Sequence, residues 1–369
     1  MLSSVEREQL LKDVADELIG LGPLEPLLDD PGITEIMVNG PHQIYVERAG
    51  RLEPVLATFR DTHHLMSIIE RLLEGTGVAV HESQLCVDAR LADGSRLNVV
   101  IPPIILNGPT MTIRKQQRQW KMDDFIEIGS LTPQVAEFLN ACVRSRVNLV
   151  VSGGTSTGKT TLVSVLSGFI PPEERIITIE NIAELELPDR DHWLRLVARS
   201  ANIEGRGEVT LRALVRNALR MRPDRIILGE ARGPEALDVV QAMHTGHEGV
   251  ITVLHANSPG AALERLETMM LMSGLDLPPQ ACQQQIVSSV DLVLHMSRFV
   301  DGSRRIASMA QVLGAGHSGF RLEDLFVFDV QGFSPEGSVQ GSYRYTGVAP
   351  KFLSKFQLNN VEVPAWLTT

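Results

Sequence analysis

Eight consecutive residues, Gly153-Gly154-Thr155-Ser156-Thr157-Gly158-Lys159-Thr160, fit the pattern G-x-x-x-x-G-K-[ST] without a mismatch. That pattern dictates its surroundings. A buried strand must lead in and a helix must lead out, so that backbone N–H groups surround one phosphate-sized hole at the helix N-terminus. The flanks comply: Asn148-Leu149-Val150-Val151-Ser152 reads as a buried strand, and Thr161 to Gly168 as a helix with an apolar face. In such a loop Lys159 reaches the β- and γ-phosphates of ATP, the Thr160 hydroxyl binds Mg²⁺, and Thr161 continues the same turn. The bland alternative is a glycine-rich turn with an exposed lysine, and the strand–loop–helix placement counts against it.

The rest of the chain must supply a core large enough to hold that loop. Its 369 residues suggest two or three domains, and 43% hydrophobic with 21% charged residues is ordinary for a globular protein. A net charge of −11 and 5% aromatic residues argue against a dedicated nucleic-acid binder, so no direct nucleic-acid contact is expected. Cys86, Cys142 and Cys282 are odd in number and far apart, and read as free thiols of a reducing compartment. The N-terminus does not read as a signal peptide, and no window of 18 residues is apolar and uncharged. The expectation is a cytoplasmic protein whose membrane role, if any, is peripheral.

Residues 5–20 have an amphipathic helical pattern that Gly20-Leu21-Gly22-Pro23 stops. After a helical turn over 24–28, sheet-like alternation takes over at Ile33–Val38 and Gln43–Glu47, a helix is expected over Thr62–Leu73, and Cys86–Leu91 with Ser95–Ile101 reads as a hairpin. Thr110–Arg114 is a further strand. Residues 1–115 are thus expected to form an α+β module, 116–128 a polar linker, and 129–369 a second domain. In that domain Ser130 is expected to cap a helix to about Ser145, and strands and helices alternate from the P-loop to Met296, as in a parallel-sheet ATPase core. Antiparallel strands and an irregular end are expected over 304–369.

A P-loop needs acids beside the metal. Arg225-Ile226-Ile227-Leu228-Gly229-Glu230 is an apolar strand ending in Glu230, but the usual preceding aspartate is replaced by Gly229. One carboxylate cannot readily both hold Mg²⁺ and orient the attacking water, so a second is wanted. Thr178-Ile179-Glu180-Asn181-Ile182-Ala183-Glu184 offers Glu180 and Glu184, one strand after the P-loop. Three histidines follow, His244, His247 and His255. A zinc site is conceivable, since histidine is a common ligand, but the spacing lacks a metalloprotease pattern. His255 falls at the C-terminal end of a strand, where open α/β sheets bind ligands, and is expected to sense the γ-phosphate.

These four elements in this order resemble the secretion ATPase superfamily, whose members power type II and type IV secretion and pilus machines through a Walker A loop, an Asp box, a Walker B ending Gly-Glu and a His box. Segments 20–28, 33–40, 88–98, 107–115 and 345–350 are similar to its CpaF/TadA branch, which assembles Flp (tight adherence) pili. The resemblance covers about residues 10–369. It departs at Asn181, usually Asp, at His244, usually Asn, and at Val250 and Val253, usually Ser or Thr. It implies a RecA-like P-loop ATPase core with a smaller α+β N-terminal domain, a homohexamer, and partners among the inner-membrane platform proteins of a pilus or secretion system. It also implies that N-terminal arginines close over the phosphates, with Arg90 and Arg96 at matching positions and Arg114 a weaker candidate.

The expected function is therefore an ATP- and Mg²⁺-dependent motor with Glu230, Glu180, His255, Arg90 and Arg96 as catalytic groups. Residues 153–161 and Arg114 would bind nucleotide, and Thr160, Glu180 and Glu184 the metal. The competing readings are a conjugation or DNA-uptake ATPase, and a nucleotide sensor that does not hydrolyse.

Overall fold

A computed structural model of the chain describes residues 20–48, 50–115, 120–187, 190–199, 201, 206–316 and 319–367. They belong to two compact units, Met1–Arg118 and Gln119–Thr369. The amphipathic helix expected over 5–20 lies, but for its last residue, outside the described residues.

The first unit is built on a six-stranded antiparallel sheet, in the order β3-β2-β1-β6-β5-β4. Its strands are β1 (Ile33–Asn39), β2 (Ile44–Arg48), β3 (Arg51–Val55), β4 (Cys86–Arg90), β5 (Arg96–Val100) and β6 (Thr110–Arg114). A short helix, α1 (Glu25–Asp29), precedes the sheet, and α2 (Thr62–Leu73) covers it. Asp61 caps α2 by accepting the His64 N–H at 2.8 Å. Leu65, Ile68, Ile69 and Leu72 form its buried stripe, in one core with Ile36, Val38, Val99 and Ile113 of the alternating strands. Strand β3 escapes the sequence reading because it is an exposed edge: most of its residues face solvent, and Pro54 is tolerated where no further strand needs its donor.

The second unit carries a nine-stranded sheet ordered β15-β14-β13-β12-β7-β11-β10-β8-β9. The parallel part comprises β7 (Leu149–Gly153), β8 (Ile176–Glu180), β9 (Trp193–Val197), β10 (Arg225–Leu228), β11 (Ile251–His255) and β12 (Leu292–Arg298). Strands β13 (Arg304–Gly316), β14 (Gly319–Phe333) and β15 (Val339–Tyr345) extend it antiparallel from β12. Alternation divides the core in two. Leu149 and Val151 belong to one cluster, with Phe138 and Leu162 of the helices α4 (Pro133–Arg144) and α5 (Lys159–Ser167). Val150 and Ile177 belong to the other, with residues of α6 (Leu211–Ala218), α7 (Glu235–His244), α8 (Pro259–Leu271) and α9 (Pro279–Ser289). A last short helix, α10 (Leu353–Leu358), buries Phe356.

Two expectations are corrected here. The polar stretch read as linker contains a helix, α3 (Met122–Glu127), closed by the Lys121 N–H on the Asp124 carboxylate at 2.7 Å and anchored by buried Phe125. Residues 116–119 lie outside the described set. Helix α4 is capped by Thr132, not Ser130: the Thr132 hydroxyl accepts the Val135 N–H, with Pro133 in the first turn. Ser130 is buried and donates its hydroxyl to the Arg304 carbonyl.

At the entry end of the parallel strands, Asn148 ties three of them together. Its side-chain oxygen accepts the N–H groups of Gly249 and Val250 at 2.8 and 3.0 Å. Its amide donates to the Ser289 carbonyl at 2.8 Å, and its backbone N–H to Asp291 at 2.9 Å. The P-loop, Glu180, Glu230 and His255 lie at or just past the opposite, C-terminal ends of β7, β8, β10 and β11.

Candidate active site

The phosphate loop runs from the last residue of β7 into the first turn of α5. Two of its glycines are sterically required. Gly153 has φ +152°, and a side chain there would run into the Met296 carbonyl of β12. Gly158, at φ +92°, is the left-handed N-cap of α5. Lys159 is 7% exposed and donates to the Gly154 carbonyl at 2.6 Å, while the Thr157 hydroxyl donates to the same oxygen at 3.0 Å. The loop is thereby closed by its own side chains. Ser156, with φ +57°, sits at the exposed bend beside Thr155. Behind the loop, the Ser152 hydroxyl lies 2.9 Å from Nδ1 of buried His295, whose pKa is pushed down by burial and by Lys159. The sequence reading missed His295, because β12 reads as plain core.

Thr160 and Glu184, expected to share the metal, do meet: the hydroxyl donates to the Glu184 carboxylate at 3.4 Å. Glu180 makes that meeting possible. One of its oxygens accepts the backbone N–H groups of Glu184 and Leu185, both at 2.8 Å, folding the loop after β8 back toward α5. Its other oxygen is buried with no hydrogen-bond partner among the described residues. Burial raises the Glu180 pKa above the ordinary carboxylate value, against the pull of the two N–H donors. A carboxylate with one orphaned oxygen suits a cation, so Thr160, Glu180 and Glu184 fit Mg²⁺ by donor chemistry, as oxygen donors from the start of α5 and from the end of β8 and its loop.

The missing aspartate at Gly229 has a steric explanation. A Cβ at position 229 would lie 2.9 Å from the Glu180 Cγ, so the side chain from the neighbouring strand fills the place. Glu230 follows, with both oxygens engaged: one is 2.8 Å from the Arg232 guanidinium and the other 3.2 Å from Nε2 of His255. Burial, then the charge of Lys159, lowers the His255 pKa despite the Glu230 carboxylate, which favours the neutral imidazole. The other two histidines go elsewhere. His244 is 3.2 Å from the Ser288 hydroxyl, and Nδ1 of His247 is buried with no hydrogen-bond partner among the described residues. No group of three His, Cys, Asp or Glu able to hold a metal occurs among the described residues.

Arg90, Arg96 and Arg114 belong to the first unit. There β4, β5 and β6 place them directly opposite one another, Arg90 on Arg96 and Arg96 on Arg114, with Glu35 next in the row. Sequence spacing alone hid this convergence. Arg232 and Arg265 were also missed. The first lies two residues past Glu230, and the second reaches the site only through the packing of α8.

The core thus holds a P-loop, acids at or just past the ends of two neighbouring strands and a histidine at the end of a third. A family profile described as Type II/IV secretion system protein matches residues 17–318. The chain belongs to this family. A Mycobacterium tuberculosis protein provisionally named for conjugal transfer is 37% identical over 317 residues, covering 84% of this chain and 89% of its own. The type IV secretion system protein VirB11 of Brucella suis is 35% identical over 329 residues, covering 82% and 91%. Among solved structures, the Legionella pneumophila ATPase DotB aligns with TM-score 0.53 at 19% identity over 85% of this chain and 81% of its own. The pilus retraction motor PilT with bound ADP aligns with TM-score 0.52 at 17% identity, over 88% and 82%. At these identities the likeness is one of fold: a RecA-like core with an N-terminal domain. No helix among the described residues is long and apolar enough to cross a membrane.

Proposed function

We propose that this chain is an ATPase that powers a secretion or pilus machine. ATP with Mg²⁺ would sit on the P-loop, with Lys159 and Thr160 on the phosphates and metal and Glu180 and Glu184 completing the metal's oxygen set. Glu230 would orient and deprotonate the attacking water, and neutral His255 would report the γ-phosphate. The single observation that supports this best is the chain of contacts from Glu180 through the Glu184 backbone to Thr160, which turns the loop acid Glu184 onto the helix that follows the P-loop. Arg90, Arg96 and Arg114 are proposed as the further cations for the transition state, with their cross-strand row as support.

Within the family, the CpaF/TadA-like segments named above favour assembly of a Flp-type filament by a homohexamer in the cytoplasm, acting on inner-membrane platform proteins. The conjugation reading has its own support, in the relatives named for conjugal transfer and for type IV secretion. Steady-state phosphate release from Mg²⁺-ATP, measured on the hexameric fraction, tests the proposal, and a chain that binds ATP without turnover would make it a nucleotide sensor. DNA binding that falls steeply with salt would favour the conjugation reading with direct DNA contact over the pilus one.

A further inference from the structure

A cavity of about 620 Å³ opens directly in front of Gly154 and Thr155, at the start of the P-loop. Its walls come from the end of β11, through His255 and Asn257, from the turn after Glu230, through Arg232, and from α8, through Arg265. In the sheet order β11 and β10 lie to one side of β7, so the cavity is on the side of Glu230 and His255. No carboxylate lines it, although the chain carries a net charge of −11. Arg265 is exposed and has no ion pair or hydrogen bond among the described residues. Arg232 is 60% exposed and has its ion pair with Glu230. Two guanidiniums, one of them uncommitted, therefore face open space beside the loop that grips phosphates.

The geometry points to a second oxyanion subsite here, formed by Arg265, Arg232 and Asn257, which receives the inorganic phosphate cleaved at the P-loop and passes it to solvent. This rests on the hydrolase reading above. In that reaction the water oxygen bonds to the γ-phosphorus, the bond to the bridging oxygen breaks with its electron pair remaining on ADP, and the cleaved group leaves as phosphate with release of a proton. The anion can then move forward into the cationic cavity. Forward exit is favoured by the charge of Arg265. Around Arg265 the same face of α8 and its end present Ala261, Met269 and Met272, whose side chains offer no hydrogen bonds, so few donors hold the anion and they hold it weakly. Weak holding is what a release site needs. Arg232 is the element that can exchange partners, since a phosphate oxygen offers its guanidinium the same bond that Glu230 does.

Titration calorimetry with inorganic phosphate, on the full chain saturated with ADP and Mg²⁺, reads this subsite with the P-loop occupied. The expected result is saturable binding in the millimolar range, weakened at least fivefold by Arg265→Ala and partly restored by Arg265→Lys. Because Arg265 lies on the surface of α8, its replacement leaves the core intact, and unchanged ADP affinity of the variant verifies this. ADP binding without saturable phosphate binding, or equal phosphate affinity in Arg265→Ala and the parent chain, overturns the subsite alone. A chain that binds no ADP overturns the nucleotide reading and the subsite with it.

Discussion

The Cγ of Glu180 stands 2.9 Å from the point where a side chain on Gly229 would begin. Glu180 ends β8, Gly229 directly follows the neighbouring strand β10, and the two exchange roles: the glycine gives up the acid usual before Glu230, and the glutamate occupies the place. The φ of Gly229 lies outside the left-handed range, so its reason for being glycine is room and not backbone conformation.

Gly229→Ala should therefore overpack this contact and cost about 1–3 kcal/mol in urea unfolding. Shortening the partner should relieve it. In a double-mutant cycle with Glu180→Ala, the alanine at 229 should cost much less than it does alone. Additive effects would show that the contact is not what excludes a side chain.

Glu180 should also leave a pH signature. Burial raises its pKa in the folded chain, so the fold binds this proton more tightly than the unfolded chain does. The resulting stability is greatest below the ordinary carboxylate value of 4.5 and is lost as pH rises toward the raised folded value. Glu180→Gln removes that slope. With metal chelated, the stability of the variant minus that of the parent should increase from pH 4.5 upward. A difference that stays flat with pH would mean that Glu180 is not desolvated.

The phosphate grip and the water-orienting step should separate. Glu230→Gln should bind ATP as the parent does and lose roughly 100-fold or more of turnover, the usual range for removing a general base. Lys159→Ala should lose nucleotide affinity itself, which fluorescent ATP titration detects. Full turnover in Glu230→Gln would end its assignment.

Arg90→Ala and Arg96→Ala should lower kcat more than they raise KM, because a cation used at the transition state contributes little to ground-state binding. Steady-state kinetics on the assembled protein reads the split. A rise in KM alone would make these arginines ground-state binders.

Much of this was readable in advance, for a physical reason. The P-loop strand and helix, α2 and β6 have apolar periodicity that matches their burial, and periodicity is what a sequence displays. Strand β3 is an exposed edge, and β9 has no buried residue, so both owe their strand form to pairing with β2 and β8. Helix α3 is held by a capping carboxylate and one buried phenylalanine, too few apolar positions to register as a pattern. In the site, Glu230, Glu184 and His255 could be picked out because each ends or follows an apolar strand. The Gly229–Glu180 exchange, the arginine row and the place of Arg265 all depend on which strands and helices become neighbours, and no local spacing encodes that.

Asn148 has a consequence for how force travels through the core. Four of its hydrogen bonds fasten the roots of β7, β11 and β12 at one end of the sheet. Sliding β7 by one residue against either neighbour would break bonds on both sides at once and turn each side chain to the wrong face. The same bonds therefore set themselves against shear between these strands. A load applied to this core would thus meet a gear whose teeth stay in mesh.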